Sequence, residues 1–138
     1  MAILLAAFKT ILLFTFSTNA VLASPQGDEL PQCIVTTHCV IENLKVSDVN
    51  ESFRRSKELI TNTPRTKIVE SNDSFIHAEA KTKWMHYTDD LLIKALPSKG
   101  LIQVRSESRV GVGDNGVNRK RVDELAYRLM VPVSKFNQ

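Results

Sequence analysis

The four residues Pro97-Ser98-Lys99-Gly100 narrow most sharply what this chain can become. They separate two runs that read as strands, 85–96 and 101–110, and proline with glycine three residues on is turn chemistry. The chain therefore has to fold back here as an antiparallel pair. If Leu96 pairs with Leu101, then Lys94 faces Gln103, Leu92 faces Arg105, Asp90 faces Glu107 and Thr88 faces Arg109. Side chains alternate along a strand, so Tyr87, Leu91, Ile93 and Ala95 share the other face with Ile102, Val104, Ser106 and Val110. One face is a core and its reverse a charged patch, where Asp90 lies diagonal to both Arg105 and Arg109. Asp89 falls on the apolar side with Ser106 and Ser108. A carboxylate there needs donors, and the glycine loop or the helix amides downstream are the expected source.

Residues 105–121, read as Arg-Ser-Glu-Ser-Arg-Val-Gly-Val-Gly-Asp-Asn-Gly-Val-Asn-Arg-Lys-Arg, pass from strand through a glycine-punctuated loop into the first turn of a helix. Gly111, Gly113 and Gly116 allow positive φ or close approach of another group. Asp114 or Asn118 is placed to cap the helix. A helix start presents unpaired N–H groups and partial positive charge, and arginines suit carboxylate or phosphate through their planar fork. These residues make Arg105, Arg109, Gly111, Gly113, Asn118, Arg119 and Arg121 candidates for holding an anion, with Asp89, Asp90, Glu107 and Asp114 as charge partners. A salt-bridged outer sheet face is the competing structural explanation for Asp90, Arg105, Glu107 and Arg109. Gly111, Gly113 and Gly116 also match the spacing of a dinucleotide fingerprint, but no parallel β-α-β unit surrounds them.

Residues 1–9 carry a positive charge at Lys9, 11–16 form a short apolar stretch, and Val21-Leu22-Ala23 precedes Ser24-Pro25. This is the pattern of an export signal cleaved after Ala23. The apolar run falls short of the roughly 20 residues that span a bilayer, so no stable membrane anchor is expected once the signal is removed. Removing 23 of 138 residues leaves about 115, enough for one domain with a single modest core. The expected destination is the periplasm or the extracellular space, or an organelle lumen in a eukaryote. In that setting Cys33 and Cys39 are expected to pair, closing a small loop worth on the order of 2 kcal/mol. A zinc site built from His38 and the two cysteines lacks a fourth ligand, and no metal or cofactor is expected. The net charge of +3 is spread among interspersed acids and bases, which disfavours nucleic acid as a partner.

Residues 24–46 read as an irregular cysteine-containing segment. A first helix is expected over 47–62, with Asp48 and Glu51 in a capping-box pattern, a stripe of Val49, Phe53, Ser56 and Ile60, and Pro64 as its stop. Strands are expected over 66–71 and 75–80, a turn at 81–84, and a second helix over 118–130 with Val122, Leu125, Ala126, Leu129 and Met130 along its apolar side. The core domain then runs 47–133 with a tail at 134–138. Its fold class is α+β, a four-stranded antiparallel sheet with two helices packed on one face.

The run Arg-Ser-x-Ser-Arg-Val-Gly-x-x-Asp-x-Gly-Val-Asn-Arg-Lys-Arg, with Asp89-Asp90 upstream and Cys39-Val40 further back, resembles the domain-of-unknown-function family 1499. The resemblance covers residues 30 to about 130 and implies no reaction or ligand. It also implies an exported or organelle-lumen setting. Around the second cysteine the family usually shows Pro-Asn-Cys-Val-Ser-Ser, where this chain has Thr37-His38-Cys39-Val40-Ile41-Glu42. The usual Tyr-Ser inside the loop is Val112-Gly113.

The expected function is a binding or assembly module whose strand-loop-helix element recognises an anionic small molecule, a lipid headgroup or a protein. The alternative is a small hydrolase using Asp89 or Asp90 with Ser106 or Ser108 as nucleophile and the loop amides as an oxyanion site. Neither His77 nor His86 is well placed beside a serine, and Trp84 and Tyr87 read as core or rim aromatics.

Overall fold

The computed structural model describes residues 28–130; the expected leader at 1–23 and tail at 134–138 lie outside them. The described residues form one antiparallel sheet with strand order β1-β5-β4-β3-β2. The strands are β1 (Cys39–Lys45), β2 (Thr66–Ser71), β3 (Phe75–Lys81), β4 (Thr88–Leu96) and β5 (Leu101–Ser108), with helices α1 (Val49–Thr61) and α2 (Val117–Met130). The sheet has five strands where four were expected. The additional strand, β1, lies inside the segment read as irregular and pairs with β5 from Cys39 opposite Glu107 to Lys45 opposite Leu101.

Chain connectivity explains why the extra strand sits where it does. β1 and β2 are the two edges of the sheet, and α1 crosses one face between them. The meander β2-β3-β4-β5 then returns to β1 and closes the unpaired edge of β5. Within the meander the hairpin register is the expected one: Leu96 opposite Leu101, Lys94 opposite Gln103, Leu92 opposite Arg105 and Asp90 opposite Glu107. A single 3-10 turn over Pro97–Lys99 makes the connection, with Gly100 at φ 64°, where a Cβ would be strained.

Both helices lie on the same face and bury their stripes into it. Phe53 and Ile60 from α1 and Val122, Leu125 and Leu129 from α2 pack with Leu44, Ile76, Leu91, Ile93, Ile102 and Val104. Asp48 caps α1, its carboxylate accepting from the Glu51 amide at 2.9 Å. Ser56 is buried in the stripe and donates back to the Ser52 carbonyl at 2.8 Å, so its hydroxyl costs the core little. The Cys33–Cys39 disulfide forms and ties the segment before β1 to the sheet edge, with Cα atoms 5.6 Å apart. Both sulfurs are therefore unavailable as thiolate metal ligands.

Candidate functional site

Strand alternation assigns the charged residues around β4 and β5 to two faces, and the two sets never meet. On the face away from the helices, Arg109 grips Asp90 with Nε to Oδ2 at 2.9 Å and Nη2 to Oδ1 at 2.7 Å, and also donates to Glu79 at 2.7 Å. The Nε2 of His77 lies 2.6 Å from the same Asp90 carboxylate. Burial alone would raise the Asp90 pKa, but the hydrogen bonds from Arg109 and His77 outweigh it and hold the carboxyl below its ordinary value. Arg105 donates to Glu107 at 2.7 Å on this same face. Arg119 points elsewhere, from α2 to Glu42 of β1 at 2.6 Å, with Asp123 at 3.6 Å. Arg105, Arg109 and Arg119 thus each hold an acid and do not converge on one point.

The helix-side set is built differently. Asp89 is fully buried, and its Oδ2 accepts from Arg121 Nη2 at 2.8 Å. The donor is thus a guanidinium from near the N-terminal end of α2, not the glycine loop or the helix amides as expected. Arg121 Nη1 also donates to Ser106 Oγ at 2.8 Å and Asn118 Oδ1 at 2.6 Å. Asn118 is a buried hub and not a cap: its Nδ2 donates to Ser108 Oγ at 2.9 Å and to the His38 carbonyl at 3.0 Å, and its Oδ1 accepts from Ser106 at 2.6 Å. This network locks β4, β5, α2 and the residue before β1 together. One atom in it stays unsatisfied, since Asp89 Oδ1 is buried with no hydrogen-bond partner among the described residues.

Asp114 is the residue that caps α2. Its Oδ1 accepts from the Gly116 amide at 2.9 Å and its Oδ2 from the Asn118 amide at 2.8 Å. Burial pushes its pKa up, and these amide donors outweigh that and hold it below its ordinary value. Among the loop glycines, Gly111 sits at φ 102°, a conformation closed to most side chains. Gly113 has no such need: its φ is outside the positive region, and an added Cβ would make only an ordinary contact with the Thr37 carbonyl at 3.8 Å.

Because β4 begins where β5 ends, the loops at that end of the sheet face one another. The turn 82–87 is closed by Thr82 and Tyr87, which exchange two hydrogen bonds. Opposite it runs the glycine loop, and between them opens a cleft of about 480 Å³ bordered by Arg65, Lys81, Lys83, Lys120 and Arg121, with Asp89 and Ser108 among its lining residues. Among the described residues no acid pairs with the ammonium groups of Lys81 or Lys120, in contrast to Arg105, Arg109 and Arg119. Of the residues singled out in the sequence for anion binding, Gly111, Gly113 and Arg121 reach this cleft. Arg65, Lys81, Lys83 and Trp84 were missed as site residues. Their signal was positional: a turn leading into the Asp89 strand has to lie beside the loop that leaves the Ser108 strand.

The two serines stand in settings that bear on nucleophilic chemistry. Ser106 is fully buried between Asn118 and Arg121, and Asp90 lies on the opposite face of the sheet. Ser108 is the cross-strand neighbour of Asp89, yet its Oγ is hydrogen-bonded to Asn118, and the imidazole of His77 is on the far face with Asp90. Among the described residues there is no cluster of three or more His, Cys, Asp or Glu side chains suited to a metal ion.

A family profile described as protein of unknown function (DUF1499) matches residues 16–129. The chain belongs to the DUF1499 family. Ser106, Ser108, Asn118 and Arg121, which lie within the matched region, are joined with Asp89 in the helix-side network of this DUF1499 chain. No curated protein matches the DUF1499 chain.

Proposed function

We propose that this protein is an exported binding module that holds a small anionic ligand in the cleft between the 82–87 turn, the glycine loop and the first turn of α2. The observation that carries this reading is the pairing, among the described residues, of a buried carboxylate oxygen, Asp89 Oδ1, that lacks a donor with a rim of cations, Lys81 and Lys120, that lack an acid. A buried acceptor without a donor is unfavourable and rare. A ligand that brings an anionic group to the lysines and a hydroxyl or N–H to Asp89 satisfies both. Arg121 supports such a ligand by fixing the Asp89 carboxylate and by adding a fifth cation to the cleft. Export is supported by the leader pattern of residues 1–23 and agrees with the disulfide between Cys33 and Cys39.

Titration calorimetry at low ionic strength with inorganic phosphate and with glycerol 3-phosphate tests the reading. Glycerol 3-phosphate, whose alcohol hydroxyls stand apart from its anionic group and can donate to Asp89 while the phosphate meets the lysines, is expected to bind more tightly than phosphate. Binding is expected to be lost in a Lys81→Ala, Lys120→Ala variant and kept in Arg105→Ala. Absence of binding by both probes, or loss of binding on Arg105→Ala with the lysine variant unaffected, would overturn it.

A further inference from the structure

We infer that the two loops bordering this cleft form a docking surface for an anionic lipid bilayer. Six of the eleven large hydrophobic residues exposed among the described residues sit on these loops or at the start of α2: Trp84, Met85, Tyr87, Val110, Val112 and Val117. The most prominent stand at the loop tips, with Val112 91%, Trp84 82% and Met85 63% exposed. Side chains of this size so far out of the fold gain nothing from the core, and clustered apolar exposure marks an interaction surface.

Charge selects the occupant. Arg65, Lys81, Lys83 and Lys120 line the cleft together with Trp84, Met85, Tyr87, Val110 and Val117, and the Lys83 ammonium lies 5.0 Å from the centre of the Trp84 ring. Neither carboxylate that lines the cleft offers an unpaired charge: the buried Asp89 is ion-paired with Arg121 through Oδ2, and Asp114 accepts the amides of Gly116 and Asn118. The surface therefore shows apolar and aromatic tips inside a basic collar with no free acid. Tryptophan and tyrosine favour the headgroup level of a bilayer, and lysines beside them are drawn by anionic headgroups. No described helix is long and apolar enough to cross a membrane, so the attachment would be peripheral. It shares lysines with the cleft but does not require a small ligand to be bound there.

Trp84 is the sole tryptophan of the sequence and so reports on the docking loop directly. The chain from residue 24 onward, the form left by leader cleavage, would be titrated with vesicles of phosphatidylcholine alone and with equal phosphatidylcholine and phosphatidylglycerol. The expected result is a blue shift of Trp84 emission and co-sedimentation with the anionic vesicles, suppressed by salt. Lys81→Ala and Lys83→Ala are each expected to weaken partitioning about fivefold. Met85→Asp with Val112→Asp should weaken it about tenfold or more while leaving the melting temperature unchanged, because both side chains are solvent-exposed. Equal association with neutral vesicles, or anionic association that survives the double aspartate variant, would overturn the inference. No association with vesicles while glycerol 3-phosphate still binds would sink the docking surface and leave the cleft reading standing.

Discussion

Replacing Arg121 by alanine probes the network on which the whole site rests. The Asp89 side chain is 1% exposed and Arg121 19%, with 2.8 Å between their charged atoms. Removing the guanidinium leaves a buried carboxylate that already has one oxygen without a donor. Breaking a buried pair from one side costs about 3–5 kcal/mol. For a domain of this size each kcal/mol is about 4–8 °C, so the melting temperature should fall by roughly 12 °C or more. Ser106 and Asn118 keep their hydrogen bond to each other, which leaves the Asp89 charge as the dominant loss. Adding Asp89→Asn to Arg121→Ala removes that charge and should recover about 2 kcal/mol or more, whereas Asp89→Asn alone should cost only about 1–2 kcal/mol. Urea unfolding of the four proteins gives the double-mutant cycle directly. A cost below about 1 kcal/mol for Arg121→Ala, or no recovery with Asn at 89, would refute the claim that a buried ion pair organises the site.

The outer face should show its own pH signature. The Asp90 pKa is depressed, so its contribution to stability is complete above the ordinary carboxylate value near ~4 and is lost as pH falls through the folded value. The stability gap between the wild type and Asp90→Asn should therefore close on acidification in pH-dependent denaturation, and a gap constant from acid to neutral pH would contradict this. Asp114→Ala removes the side-chain acceptor for two amides at the start of α2 and should cost about 1 kcal/mol by urea unfolding. Cys33→Ser with Cys39→Ser should lower stability by about 2 kcal/mol, with a matching loss when the wild type is reduced; equal stability of oxidised and reduced protein would show that the loop adds nothing.

Much of the fold is legible in local sequence because it depends on local physics. The Pro97–Gly100 turn and strict alternation place Leu96 opposite Leu101, and a slip of one residue would turn Leu91, Ile93, Ile102 and Val104 away from the helices. Periodicity and the Asp48 cap likewise locate α1, and Val122, Leu125 and Leu129 locate α2. β1 escaped notice because its seven residues, Cys-Val-Ile-Glu-Asn-Leu-Lys, bury few side chains and are held at the edge by pairing to β5, a partner some sixty residues away. The same distinction governs the site. Alternation alone puts Asp89 and Asp90 on opposite faces of the sheet. Which donor reaches Asp89, that Asn118 turns inward while Asp114 caps, and that Lys81 and Trp84 stand across from the glycine loop all depend on how α2 docks and how the meander closes on itself. Those are long-range packing outcomes, set by which side chains find one another once the core has formed, and no window of neighbouring residues contains them.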